Sequence, residues 1–152
     1  MRIYIIPLIF SIFIPINVIA ADCEPTPHRT TGTHYKPVTI EKINISKGVI
    51  VRGRVLSENG CKPIPDAKIA HWQGSEKGRY EDYLYAYLYT DKEGRFEFGT
   101  EWPNMPMPHI HFIVTADGFN TLETQWVGNE CQKLIEFDMV ITKNSIYVCL
   151  RY

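Results

Sequence analysis

From residue 48 onward, apolar and polar residues alternate in short runs, and turn-forming residues close each run. Val49–Leu56 is a β-branched run that ends at Glu58-Asn59-Gly60, where the Asn-Gly pair favours a tight turn. Pro63 and Pro65 lead to a second expected strand at Ala67–Gln73, and Gly74 and Gly78 mark the loop that follows. Within Tyr83–Thr90, four tyrosines (Tyr83, Tyr85, Tyr87 and Tyr89) recur every second residue, so in a strand all four project from one face. Asp91–Gly94 predicts a turn, Arg95–Gly99 a strand, Glu101–Pro108 a proline-bearing loop, and His109–Thr115 a strand ended by Asp117-Gly118. Leu134–Ile141 and Ile146–Leu150 predict a final hairpin around Lys143-Asn144. No window places apolar residues at i, i+3, i+4 and i+7, so helix content should be close to nil. About seven short strands at regular spacing predict an all-β chain, a β-sandwich over residues 48–152.

The first twenty residues follow a different pattern. Arg2 precedes Ile3–Ile19, which is apolar apart from Ser11 and Asn17, and Val18-Ile19-Ala20 offers short residues at a cleavage point. This pattern predicts a signal peptide over 1–20, with cleavage near Ala20 and export to the periplasm or beyond the cell. A membrane anchor is the alternative, but Pro7, Pro15 and Asn17 interrupt a segment already short for a span of about twenty apolar residues. Residues 21–47 read as an extended N-terminal arm, because Pro25, Pro27, Gly32 and Pro37 disfavour both helix and long strand. Asn44-Ile45-Ser46 is a formal glycosylation sequon.

With 45% hydrophobic and 22% charged residues, the composition suits one globular domain. Loss of residues 1–20 would remove only Arg2 among charged side chains and move the net charge from −1 to −2, which excludes nucleic acid or an anionic membrane as an electrostatic partner. Cys23, Cys61, Cys131 and Cys149 form an even set in a chain expected to be exported, which favours two disulfides of open connectivity. No C-x-x-C pair occurs, so a zinc knuckle or a thioredoxin-type motif is not expected.

Three places could carry chemistry. In His109-Ile110-His111 the strand period points both imidazoles the same way while Ile110 faces the core; the bland reading is two solvated histidines. Tyr80 follows Gly78-Arg79 at a loop-to-strand transition, and a tyrosinate is a hard donor suited to ferric iron; the alternative is one more aromatic in a tyrosine-rich strand. In Thr124-Gln125-Trp126 the amide of Gln125 could meet a polar substrate, or simply satisfy a gap in the sheet.

An ordered series of motifs resembles the core of the intradiol ring-cleavage dioxygenases. It begins with Thr26-Pro27, Thr31-Gly32 and Tyr35 in the arm, and continues through Val51-Arg52-Gly53-Arg54-Val55-Leu56 and Gly60-Cys61-Lys62-Pro63-Ile64-Pro65-Asp66-Ala67. Trp72-Gln73, Gly78-Arg79-Tyr80, Thr90-Asp91 to Gly94-Arg95-Phe96, Pro108-His109-Ile110-His111-Phe112 and Leu122-Glu123-Thr124-Gln125 complete it. The resemblance implies a β-sandwich of that core type, with a mononuclear non-haem Fe(III) held by tyrosines and histidines. Tyr80, His109 and His111 would be metal ligands, Gln125 a catalytic group beside the substrate, and a catechol-like aromatic diol and O2 the substrates. The family's second tyrosine ligand and an arginine belong to the loop before the two histidines, and here Glu101–Pro108 contains neither. Water, hydroxide or Glu101 is the expected filler, and Trp102 or Pro103 the position at which a tyrosine could be restored. Two further functions fit the same residues: a binding sandwich without catalysis, and a periplasmic copper protein using Met105, Met107, His109 and His111.

Overall fold

Eight strands account for the alternating runs in a computed structural model that describes residues 22–144. The expected signal peptide, the Ile146–Leu150 strand and Cys149 lie outside the described residues. In chain order the strands are β1 (Val49–Ser57), β2 (Lys68–Gln73), β3 (Tyr85–Tyr89), β4 (Arg95–Thr100), β5 (His109–Thr115), β6 (Leu122–Val127), β7 (Leu134–Glu136) and β8 (Met139–Ile141). Among the described residues there is no α-helix, only 3-10 turns at Asn59–Cys61 and Asp82–Leu84. None of them forms a helix long and apolar enough to cross a membrane.

One sheet has the order β4-β1-β7 with β8 also paired to β1, and the other runs β3-β2-β5-β6. Alternation decides what each face meets. Along β5, Ile110, Phe112 and Val114 are fully buried, and along β1 so are Val51 and Val55. These side chains interlock with Ile69, Phe98 and Ile135 in one core between the sheets. Each aliphatic or aromatic side chain withdrawn from water there contributes about 1.5–3 kcal/mol. The opposite face of β3-β2-β5-β6 is left for other uses, and His109 and His111 lie on it.

Two expectations change. Leu134–Ile141 is not one arm of a hairpin but two short strands, each parallel to β1. The break falls at Phe137-Asp138, where the Phe137 carbonyl lies over Gly53, so close that a Cβ there would sit 2.1 Å from the oxygen. Gly53 therefore lets the chain shift beside β1, and the Asp138 carboxylate takes the Arg54 amide at 2.8 Å. Tyr83 is in the 3-10 turn and not in a strand, so only Tyr85, Tyr87 and Tyr89 share the face. Of the disulfides, Cys23–Cys61 is present, while Cys131 is exposed and the remaining cysteine lies outside the described residues.

The arm is a strap. Tied at Cys23 to Cys61, it pairs with β8 through Thr26 and with β6 through the Arg29 amide and the Glu123 carbonyl. It then crosses the outer face of β3-β2-β5-β6, where the Tyr85 hydroxyl donates to the His34 carbonyl at 2.7 Å. At the far edge Tyr87 bonds Ile40 and Lys42, and Ile45 reaches Gly99 of the other sheet.

Candidate metal centre

Beneath the strap, the register of the sheet sets a row of side chains on its outer face: Tyr85, Trp72, His111 and Gln125 are cross-strand partners on β3, β2, β5 and β6. His109, two residues before His111, occupies the same face opposite Val127. Tyr80 enters from the loop after β2, and its hydroxyl reaches His109 Nε2 at 2.9 Å and His111 Nε2 at 3.3 Å. Residues separated by 29 and 31 positions thus bring one phenol and two imidazoles to a single point.

The protonation pattern follows from the partners. His109 Nδ1 lies 2.7 Å from the Met107 carbonyl, an acceptor only, so Nδ1 carries the proton and Nε2 presents its lone pair to the Tyr80 hydroxyl. His111 is buried and stacks on Trp72 with ring centroids 5.0 Å apart. Burial, then the neighbouring His109 and His34 rings, lowers its pKa to about 4, so it is neutral at neutral pH. Its Nδ1 is buried without a hydrogen-bond partner among the described residues. Burial, and secondarily Tyr85, raises the Tyr80 pKa, so the phenol keeps its proton until a cation replaces it.

A metal ion suits these donors. A phenol oxygen and two imidazole nitrogens within hydrogen-bond reach of one another form a donor set that a metal cation could take up in place of the phenolic proton. Uptake would displace the phenolic proton while the Nδ1–H of His109 stays on Met107. Among the described residues no cluster of three or more His, Cys, Asp or Glu side chains could hold a metal ion.

Other expected donors are placed elsewhere. Glu101, expected as a stand-in ligand, is buried and engaged by the Ser46 hydroxyl at 2.8 Å, the Glu76 amide at 2.9 Å and the Tyr83 hydroxyl at 3.0 Å. Trp102 packs against the core and meets Trp126 edge-on, which puts a tyrosine at that position among core residues. Pro103 is buried as well. Met105 covers Gly74, so close that a Cβ there would lie 2.6 Å from its sulfur, while Met107 is exposed and offers its carbonyl to His109.

His34 was not anticipated from sequence. Its ring stacks on Tyr80 with centroids 4.1 Å apart and planes within 12°. The arm lacks periodicity, so nothing in the sequence marked this residue. Gly32, with φ +71°, lies beside the His111 ring, where a Cβ would make an ordinary contact 3.6 Å from Cε1. The stack should hold Tyr80 toward the imidazoles. Its removal in His34→Ala is expected to weaken metal binding by up to about tenfold, with recovery in His34→Phe, in direct metal titrations. Equal affinities for all three proteins would remove that role.

No protein-family model matches the chain. Over 106 residues it is 32% identical to hydroxyquinol 1,2-dioxygenase of Rhodococcus opacus, covering 49% of this chain and 34% of that protein. It is also 32% identical over 100 residues to the protocatechuate 3,4-dioxygenase beta chain of Burkholderia cepacia, covering 51% and 42%. The chain thus spans less than half the length of either relative. Among solved structures, the dioxygenase domain of a dioxygenase–carbohydrate-binding fusion from Streptomyces sp. SirexAA-E superposes with TM-score 0.71 at 22% identity, over 80% of this chain and all of that one. The intradiol ring-cleavage dioxygenase of Tetranychus urticae superposes with TM-score 0.62 at 25% identity, over 68% and 64%. The fold is the intradiol dioxygenase core, and the likeness read from the motif series holds for these relatives and neighbours alike.

Proposed function

We propose, from its likeness to the intradiol ring-cleavage dioxygenases, that this chain binds one non-haem ferric ion through Tyr80, His109 and His111 and cleaves a catechol-like ortho-diphenol with O2. The observation that carries this reading is the convergence of the Tyr80 hydroxyl on both Nε2 atoms, at 2.9 and 3.3 Å. When bound, ferric iron would supply the centre that chelates the two diphenol oxygens and permits oxygen insertion between the carbons bearing them.

The chain's own residues prepare that step. Tyr80 gives up its proton to become a hard anionic donor, which favours the ferric state. Trp72 fixes the plane of His111 by stacking, and Met107 fixes the tautomer of His109. Gln125, facing the same side of the sheet as His111, would offer its amide to a substrate oxygen. The strap over His111 and Tyr80 limits the water that reaches them. With one phenolate fewer than the two tyrosine ligands the resemblance implies, iron should be held more weakly and turnover should be slow. The Cys23–Cys61 disulfide supports an exported protein in an oxidising compartment.

Metal analysis of protein isolated without added metal, followed by oxygen uptake with catechol, tests the reading. Stoichiometric iron and consumption of one O2 per ring are expected. Copper in place of iron, or a protein that takes up iron yet neither binds nor cleaves catechol, would overturn it.

A further inference from the structure

We infer that Glu101 is the positioning residue that presents Tyr80 to His109 and His111, by fastening the loop that carries Tyr80 on both sides of it; this rests on the proposed function.

Of the three proposed ligands, Tyr80 alone is not placed by a strand. Its two partners sit on β5, whereas the phenol comes from the chain between β2, which ends at Gln73, and the 3-10 turn Asp82–Leu84. That stretch includes Gly74 and Gly78, the latter with φ +69°, so its backbone has little stiffness of its own. A hydroxyl that lies 2.9 and 3.3 Å from two rings fixed in a sheet needs its loop held from outside.

Glu101 supplies the hold. It directly follows β4 and is buried. Its Oε1 accepts the Glu76 amide at 2.9 Å and the Tyr83 hydroxyl at 3.0 Å, so one atom ties the loop both before and after Tyr80. The main chain of the same residue ties the start of the loop: the Glu101 carbonyl accepts from Nε2 of the fully buried Gln73 at 2.6 Å. Asn104 adds two bonds nearby, from its amide to the Ser75 carbonyl at 3.3 Å and from Nδ2 to the Glu76 carbonyl at 3.0 Å. Glu101 Oε2 accepts the Ser46 hydroxyl at 2.8 Å, which fastens the far end of the arm that also carries His34, the ring stacked on Tyr80. The loop and the strap, both supports of the phenol, thus meet at one carboxylate.

Burying a carboxylate is unfavourable unless its oxygens are satisfied, and here donors from three separate segments satisfy them. Glutamine can reproduce the pattern. Its Oε1 accepts from Glu76 and Tyr83, and its Nε2 donates to the Ser46 hydroxyl in place of accepting from it. A positioning role therefore survives Glu101→Gln, whereas a role that needs the negative charge, such as that of a metal ligand, does not.

Two readouts test this, one of them without metal. In metal-free protein, Glu101→Ala should speed hydrogen exchange at the Glu76 amide about tenfold and weaken the nuclear Overhauser contact between the Tyr80 and His34 rings, with the amides of β2, β4 and β5 as the fold control. In iron-loaded protein the same variant should lower iron affinity about tenfold and shift the tyrosinate-to-iron band, and Glu101→Gln should restore both. If Glu101→Ala does not fold, Tyr83→Phe, which removes only the tie after Tyr80, is read in the same way at the ring contact, the affinity and the band. An unchanged band and affinity in these variants, or an unchanged ring contact in the metal-free protein, ends the positioning role and leaves the proposed function standing. A Glu101→Gln protein as impaired as Glu101→Ala shows that the site uses the charge, and the inference fails. A wild-type protein that takes up no iron removes the proposed function, and the role at a metal goes with it.

Discussion

His109→Ala should lose stoichiometric iron, with affinity falling by more than about 100-fold, while the fold stays intact. Even a group that only orients a ligand is worth about 10–100-fold, and on the proposed function this imidazole is one of three donors. It is only partly buried, so its loss leaves little void. His111→Ala should lose iron equally but also destabilise the protein by about 2–3 kcal/mol, because the ring is buried against Trp72 and alanine leaves a cavity. Tyr80→Phe separates the two effects. It keeps the stack on His34 and removes only the oxygen. The visible tyrosinate-to-iron band should vanish, with a loss of only about 1 kcal/mol in stability from the missing hydroxyl contacts. Tyr85 is not a ready substitute, since its hydroxyl is committed to the His34 carbonyl. Metal analysis and absorption spectra of the three variants decide the matter: full iron occupancy in His109→Ala, or an unaltered band in Tyr80→Phe, would sink the ligand assignment.

Acidification should destabilise the metal-free protein through a residue on the opposite face of the same sheet. His71 on β2 is fully buried between the sheets, stacked on Phe98 at 3.8 Å, and neither ring nitrogen has a partner among the described residues. Burial lowers its pKa from 6.5 to about 3. The unfolded ring takes up a proton as pH drops below 6.5, whereas the folded one stays neutral until about 3. Between these values the unfolded state binds more protons, so stability rises with pH and levels off above 6.5. At pH 4 the loss is about 3 kcal/mol. His71→Phe keeps a ring against Phe98 but has nothing to protonate, so its urea-unfolding free energy should fall correspondingly less between pH 7.5 and 4. His71→Leu provides the same comparison if the larger ring is strained. Parallel pH curves for wild type and both variants would refute the assignment.

What was legible in the sequence follows the reach of each signal. Period-two alternation is local, so β1, β2, β4 and β5 were expected within one or two residues of where they lie, as was the shared face of His109 and His111. Parallel pairing is not local. β7 and β8 approach β1 only because Gly53 tolerates the Phe137 carbonyl, and nothing near residue 137 announces that. Tyr80 and Gln125 stood out locally, one at a loop-to-strand transition and one as an amide in a strand, and the motif series gave them a shared role. Spacing could not show that a loop residue would reach two strand residues, or that Gln125 would be the register partner of His111. His34 escaped because its partner is a ring 46 positions along the chain, and stacking leaves no trace in composition. Glu101 was expected as a stand-in ligand on sequence proximity, but Ser46, Glu76 and Tyr83 satisfy its oxygens.

The strap also carries a consequence for synthesis on the ribosome. The arm precedes every strand in the chain, but one end of it is fixed only by late ones. Cys23 can find Cys61 early, but the Thr26 amide needs the Val140 carbonyl and the Arg29 amide needs that of Glu123. Tyr80, His109 and His111 are therefore all translated before the contacts that hold the Thr26–Arg29 end of the strap, although Tyr85 and Tyr87 hold its other end earlier. A nascent or newly exported chain passes through a stage in which the donors exist and the strap is loose at that first end. On the proposed function, metal enters most easily in that interval, and docking of β8 then slows both its escape and its exchange.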